Sequence, residues 1–340
     1  MMSRKHYDEI KKKFGVFIST WKNRDIHLLD EMIDKEVVCY ISTSKSYAIG
    51  AQHSLFGVKS FVLDIPTSDV FHHKIFNFTC RISGDEAHQY AYVVCLAANF
   101  EKNKNEALTF QFTAMLSNHW VRKATGWCIT EIRMDILGHG GDLTSFTDSW
   151  YFESQKPSYY YYGKHERCIN GELDSPWNRI PIAEDNELTE EELIMDTYAK
   201  YAYGNDQFAW DHVCDILTED AMFTTAPWGP CSKRQRLEVI KLHRQKEHMW
   251  AHPMKAESIL MEGDLANVKL FRMSGHRQRS HPYIFTQYNI NIEHACSRMD
   301  VVFRKEDGVW KICKWNGYLG IVEIGPYSTD IYGVAGDEIK

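Results

Sequence analysis

His73 and His252 are the side chains in this chain best suited to moving protons, and each heads the same pattern of residues. His73-Lys-Ile-Phe-Asn77 leads on to Gly84-Asp85-Glu-Ala87, and His252-Pro-Met-Lys-Ala256 leads on to Gly263-Asp264-Leu-Ala266. The two histidines stand 179 positions apart (252 − 73), as do the two aspartates (264 − 85). An imidazole titrates near neutrality, so a strand histidine facing a dry pocket serves as general base or acid, and a nearby tyrosine hydroxyl supports the oxyanion that develops. The competing reading is that both rings only satisfy a buried hydrogen bond. Strand alternation puts His73, Ile75 and Asn77 on one face, and His252, Met254 and Ala256 on the corresponding face. His72-His73, His88 and His119 lack metal-ligand spacing, and the chain has no His-Glu-x-x-His, glycine-rich phosphate loop or Gly-x-Ser-x-Gly. Neither metal nor cofactor is implied.

The elements that must carry these histidines are themselves duplicated. Val121-Arg-Lys-Ala-Thr-Gly126-Trp127-Cys-Ile129 is echoed by Phe303-Arg-Lys-Glu-Asp-Gly308-Val-Trp310-Lys-Ile312, and Ile136-Leu137-Gly138 by Tyr318-Leu319-Gly320. Upstream, the stretch from Asp25 to Asp30 sits opposite that from Asp206 to Asp211. A unit this long is a complete globular fold rather than a solenoid repeat, so the chain reads as two tandem copies.

Each copy opens with a helix. Tyr7, Ile10, Phe14, Phe17 and Trp21 recur at three- and four-residue steps, which aligns them on one face. In the second copy Thr189-Glu-Glu-Glu192 is a capping box ahead of Leu193, Ile194, Tyr198 and Tyr201. A short helix follows (28–33 and 208–217), then a strand (37–42 and 221–225) and a third helix (54–63 and 234–250). The remainder is strand-like, at 71–82, 86–99, 107–122 and 126–136, with counterparts at 252–262, 265–274, 288–304 and 309–319. Gly84-Asp85, Gly263-Asp264 and Asp307-Gly308 are turn dipeptides, so these strands are expected to join as hairpins. The predicted architecture is α+β: two tandem cone-shaped domains, each with about three helices on a curved antiparallel sheet. The expected division is 1–138, a connection at 139–187, 188–322, and a tail at 323–340. The connection carries Tyr159-Tyr-Tyr-Tyr162, and either packs across both copies or is a loose linker.

Composition excludes several partners. A net charge of −7 without a basic cluster argues against nucleic acid. No stretch approaches a membrane span and the start lacks an apolar leader core, so no membrane partner and a cytoplasmic location are expected. Nine cysteines, dispersed and odd in number, read as reduced core thiols, Cys39, Cys95 and Cys313 among them. Ten Trp and 18 Tyr make an aromatic interior that either lines a pocket for a flat ligand or fills a core.

The order of helix, helix, strand, helix and meander, with a histidine opening the second strand, a Gly-Asp-x-Ala turn and a final Gly-x-Trp-x-Ile strand, resembles the SnoaL-like branch of the superfamily named after nuclear transport factor two. Scytalone dehydratase and ketosteroid isomerase belong to that superfamily. The resemblance covers about 1–138 and 188–322. It implies a cone, backed by helices, whose mouth holds a small apolar or aromatic ligand. Because many members dimerise sheet to sheet, it also implies an internal pseudo-dimer, with a further homo-oligomer left open. Fold alone does not choose among isomerases, dehydratases, cyclases and binding modules.

Catalytic members carry a tyrosine on the first helix, a carboxylate five residues on and an aspartate eight residues on. Here Tyr198 and Asp206 match the outer positions, with Tyr203 where the acid would stand; in the first copy the reading is Phe17, Trp21 and Asp25. Asp25 and Asp206 are taken as N-caps of the next helix. The resemblance then implies His252, Tyr198, Tyr203 and His294 as catalytic, His294 being matched to Phe112. It implies Trp228, Arg272, His73, Asn77 and Trp21 as substrate contacts. Trp228 either closes over a ligand or packs in a plain turn; Arg272 and Arg298 either pair with a ligand carboxylate or are exposed strand residues. The expected activity is a cofactor-independent lyase or isomerase acting on a cyclic, aromatic or polycyclic small molecule. The alternatives are a non-catalytic binding or scaffold protein, and a chain in which one copy is catalytic and the other structural.

Overall fold

The computed structural model describes residues 2–42, 54–65, 67–100, 107–141, 168–225, 229–246, 251–273, 285–286, 289–317 and 321–326. Trp228, the run Tyr159–Tyr162 and most of the expected tail lie outside these residues. The first repeat comprises α1 (Met2–Asn23), α2 (Leu29–Met32), β1 (Ile33–Ile41), α3 (Leu55–Asp64), β2 (Val70–Ser83), β3 (Glu86–Phe100), β4 (Ala107–Lys123) and β5 (Gly126–Gly141). A 3-10 turn at Gly171–Asp174 and α4 (Pro176–Arg179) follow. The second repeat comprises α5 (Glu190–Asp206), α6 (Trp210–Asp215), β6 (Leu217–Thr225), β7 (Gly229–Ser232), α7 (Lys233–Lys246), β8 (Met254–Glu262), β9 (Leu265–Met273), β10 (Phe285–Thr286), β11 (Asn289–Glu306), β12 (Val309–Gly317) and β13 (Ile321–Pro326).

The two sheets have one topology. The first runs β1-β5-β4-β3-β2, and the path β6-β12-β11-β9-β8 of the second repeats it strand for strand. Each is mixed rather than wholly antiparallel, because the opening strand pairs parallel with the last of the meander. Register agrees residue by residue: Ile82 pairs with Ala87 and Met261 with Ala266; Ala87 with Trp120 and Ala266 with Phe303; Arg122 with Trp127 and Lys305 with Trp310. The N–H of Arg122 donates to the Asp85 carbonyl and that of Lys305 to the Asp264 carbonyl, both at 2.8 Å. Gly84 and Gly263 make the same left-handed turn, with φ of 60° and 61°, which a side chain at Cβ would strain. A slipped register would turn every inward side chain outward, so this agreement is strong evidence of duplication. The second sheet adds β7 beside β6, and β10 and β13 against β11.

Inside the first repeat, Tyr7, Ile10, Phe14, Phe17 and Trp21 are all buried, as their spacing predicts. Each such side chain contributes roughly 1.5–3 kcal/mol by leaving water. The repeats meet helix on sheet. Helix α5 turns Tyr198 and Tyr201 to Trp315 of its own sheet, and Tyr203 to Tyr90 on the back of the first sheet. Residues 168–186 cover the rest of that back. Arg81 donates to the Ile180 carbonyl at 2.7 Å, Asp135 accepts from the Cys168 N–H at 2.8 Å, and Asn186 donates to the Cys80 carbonyl at 3.2 Å. The buried His88 ring donates to the Asp174 carbonyl at 3.0 Å. Among the described residues no helix is long and apolar enough to cross a membrane.

Candidate functional site

The site is built at the end of α5. Its capping box forms as expected, with Thr189 and Glu192 exchanging hydrogen bonds, and the helix runs to Asp206. At Gly204 the returning chain comes so close that a Cβ would lie 2.7 Å from Val213 and 2.9 Å from the Ala209 carbonyl. Only glycine lets α6 fold back this tightly. The last turn of α5, and Asp206 with it, is thereby held against the opening of β8. Asp206 is 3% exposed. Its carboxylate accepts from His252 Nδ1 at 2.6 Å, from the His252 backbone N–H at 3.0 Å, and from the Tyr92 hydroxyl of the first repeat.

This corrects the capping role expected for Asp206. It is the last residue of α5, and Ala209 holds the cap position of α6 without a side-chain bond. A carboxylate at a helix C-terminus opposes the helix dipole, and three donors offset that cost here. Asp25, its sequence counterpart, is exposed and accepts from the His27 N–H at 3.2 Å. That bond makes a local turn rather than a pair with an imidazole.

Because Nδ1 faces the carboxylate, it carries the proton of the neutral ring, which leaves the lone pair on Nε2. The Tyr201 ring stands perpendicular to the imidazole at 6.3 Å. Beyond it, Tyr201, Tyr198 and Phe223 gather around Trp315 at 5.0, 6.2 and 6.5 Å. The Tyr198 hydroxyl is buried and has no hydrogen-bond partner among the described residues. Burial pushes its pKa well above the ordinary phenol range, with the Arg272 charge pulling partly the other way. Tyr198 is therefore a proton-bearing donor beside a cation, suited to meet negative charge on a ligand oxygen.

The other expected site residues do not all join this group. Tyr203 lies five residues after Tyr198, about 140° around the helix. Its hydroxyl donates to the Gly171 carbonyl at 2.5 Å, and its ring stands 5.1 Å from Tyr90 and 5.8 Å from Trp177. The Asn77 amide is engaged by the backbone that follows His252. It donates to the His252 carbonyl at 2.8 Å and accepts from the Met254 N–H at 3.0 Å. Arg272 sits half-buried on β9. Arg298 pairs with Glu257 at 3.1 Å and lies over the Phe271 ring, so the protein supplies its partners. His73 is half-buried on β2, its ring 6.4 Å from Phe71. Trp21 packs between Phe17, Phe61 and Phe112 at 5.8–6.4 Å, and the residue five after Phe17 is Lys22 rather than Trp21. His294 lies on β11 opposite Glu323, and its side chain lies outside the described residues. Thr113 pairs with Val94 and Cys296 with Met273, so Phe112 corresponds to Ala295 and not to His294. Among the described residues no three His, Cys, Asp or Glu side chains are grouped as metal ligands would be.

Sequence reasoning missed Asp206 as a partner of His252, and it missed Tyr92 and Tyr201. The signal for Asp206 was present, since an acid closing a helix is unfavourable unless donors meet it. Tyr92 gave none, because the contact joins residues 114 positions apart in different repeats.

A family model of the SnoaL-like domain matches residues 186–316. Among solved structures, the chain is similar to an NTF2-like protein from Cytophaga hutchinsonii (14% identity, covering 39% of this chain and 99% of that one, TM-score 0.29). It is similar to a nuclear transport factor 2-like superfamily protein from Salmonella enterica (14%, 40% and 91%, TM-score 0.32). It is also similar to a candidate scytalone dehydratase from Novosphingobium aromaticivorans (16%, 42% and 94%, TM-score 0.32). A search of curated proteins finds no match. Residues 186–316 thus match the SnoaL-like domain family, and residues 33–141 repeat the strand order and register of that matched half.

Proposed function

We propose that the second repeat is a cofactor-independent lyase or isomerase acting on a small cyclic, aromatic or polycyclic molecule. The observation that carries this reading is the buried His252–Asp206 pair, 2.6 Å from nitrogen to oxygen, with the unsatisfied phenol of Tyr198 on the same helix as Asp206 and near enough to feel its charge. His252 Nε2 takes a proton from a carbon next to a carbonyl or hydroxyl-bearing carbon, and Asp206 stabilises the imidazolium that results. The electrons released form a carbon–carbon double bond. In a dehydration, hydroxide leaves on the neighbouring carbon and the imidazolium proton completes it as water; in an isomerisation, the same proton returns at another carbon. Tyr198 donates to the oxygen on which charge gathers, and Arg272 lowers its energy further.

The test is turnover of a panel of hydroxylated cyclic and aromatic compounds, read by mass spectrometry as loss of one water or as an isomer. His252→Ala is expected to lower the rate by roughly 10²–10⁴-fold. Tyr198→Phe is expected to lower it roughly 10–100-fold without loss of stability, because its hydroxyl has no partner to lose. A His252→Ala protein with full activity overturns the reading.

A second reading, a non-catalytic binding module, is favoured by one observation: Asp206 accepts from three donors, which equally suits a structural latch. A panel compound that stays bound to the protein and is recovered unchanged supports that reading.

A further inference from the structure

We propose that the first repeat supplies positioning residues, Tyr92 and Asn77, to the His252–Asp206 pair of the second, so that the pair is set only when the repeats are docked. This rests on the proposed reading for its bearing on catalysis, but the geometry stands apart from any substrate. Tyr92 lies on β3 and reaches across the junction to donate to Asp206. Burial and the Asp206 charge push the Tyr92 pKa well above the ordinary phenol range, so the hydroxyl keeps its proton. Asn77 lies on β2 at a bulge between Phe76 and Thr79, in the left-handed region with φ of 52°. From there both ends of its amide grip the chain around Pro253, directly after the residue that bears the ring, at 2.8 Å to the His252 carbonyl and 3.0 Å from the Met254 N–H. One contact therefore orients the carboxylate, and two fix the backbone that carries the imidazole.

The assistance runs one way. At the 179-residue offset Tyr92 corresponds to Phe271 and Asn77 to Ala256. Phe271 has no hydroxyl and Ala256 no amide, so the second repeat lacks the groups that would serve the first. In the first repeat Asp25, at the place of Asp206, is exposed and turned to its own backbone. Two interchangeable copies have become a working half and a supporting half.

The experiment is proton and nitrogen NMR of the histidine rings in the full-length protein without ligand, with the His252 signals identified by their loss in His252→Gln. Among the described residues, Asp206 and Tyr201 on α5 face the ring and Tyr92 reaches Asp206 from β3; Tyr90 and Tyr198 are close enough to feel the Asp206 charge. In the native chain the Nδ1 proton, buried against Asp206, is expected to exchange slowly with water. Asn77→Gly keeps the left-handed backbone but removes the grip, and is expected to speed that exchange about tenfold, as loss of about 1.4 kcal/mol would. Tyr92→Phe returns charge to the carboxylate, which then favours the imidazolium more, so the ring titrates at higher pH than in the native chain.

Thr79→Ala is the control for general loosening, because the Thr79 hydroxyl donates across the same junction to Asp196, away from the pair. Exchange and titration unchanged in both Tyr92→Phe and Asn77→Gly overturn the inference. So does an equal effect of Thr79→Ala. If both variants act as expected while His252→Ala retains turnover, the positioning stands and the catalytic reading falls.

Discussion

The two repeats share a strand order, a register and a pair of hairpin turns, yet the same two positions do different work in each. Asp206 is buried against His252, whereas Asp25 is exposed and closes a turn. Tyr198 presents an unsatisfied hydroxyl, whereas Phe17 at the matching place of α1 packs against Trp21. Trp21 in turn is flanked by Phe61 and Phe112. The interior of the first repeat is thus closed by aromatic packing at the level where the second holds its polar groups. The two copies share a frame and differ in the polar groups that it holds.

The sharpest way to break this comparison is to delete both aspartates in turn. Asp206→Ala leaves two N–H groups and a phenol without their acceptor and is expected to cost about 3–5 kcal/mol in urea denaturation. Asp25→Ala is expected to stay within about 0.5 kcal/mol. Equal losses would mean that the two sites are not distinct.

The next effect is at the tight return after α5. Gly204→Ala drives a methyl group against Val213 and the Ala209 carbonyl, for an expected loss of about 1–3 kcal/mol. Asn23, at the same place on α1 by the 181-residue offset of Asp25 and Asp206, is exposed, and Asn23→Ala is expected to be within about 0.5 kcal/mol.

A pH dependence tests the junction apart from either repeat. Burial pushes His88 down to about 3 and His212 down to about 4. Unfolded, both titrate near ~6.5, so below that pH the unfolded chain takes up protons that the folded chain refuses. Stability therefore falls as pH is lowered, by up to about 1.4 kcal/mol per pH unit for His88 and by less for His212, which solvent partly screens. The loss levels off once the folded pKa values, about 4 and about 3, are passed. Urea midpoints measured between pH 7 and 4 check this. His88→Gln, which cannot protonate, is expected to show the shallower decline.

Much of this molecule was legible in the sequence because its signals are local and repeated. The apolar steps of α1, the capping box of α5 and the Gly-Asp turns each depend on neighbours within a few residues, and each falls where expected. The parallel pairing of β1 with β5 was not legible, because alternation gives a strand's faces and not its partner. Tyr203 was misplaced for a related reason: a pattern of types ignores that five residues carry a side chain to the far side of a helix. Asp206 looked like a cap because Gly and Asn precede it, and its partners on β3 and at the head of β8 are distant in sequence. The strand position of His252 follows from local pattern, whereas its contacts with Asp206 and with the first repeat join distant parts of the chain and leave no local signal.

Helix α5 answers to two bodies at once, its own sheet through Tyr198 and Tyr201 and the preceding one through Tyr203. A substitution along it is consequently screened twice in inheritance, and neither half is at liberty to drift without the other. Such a helix acts as a ratchet: once fused and specialised in this manner, the descendants of the two copies have no easy route back to independent life.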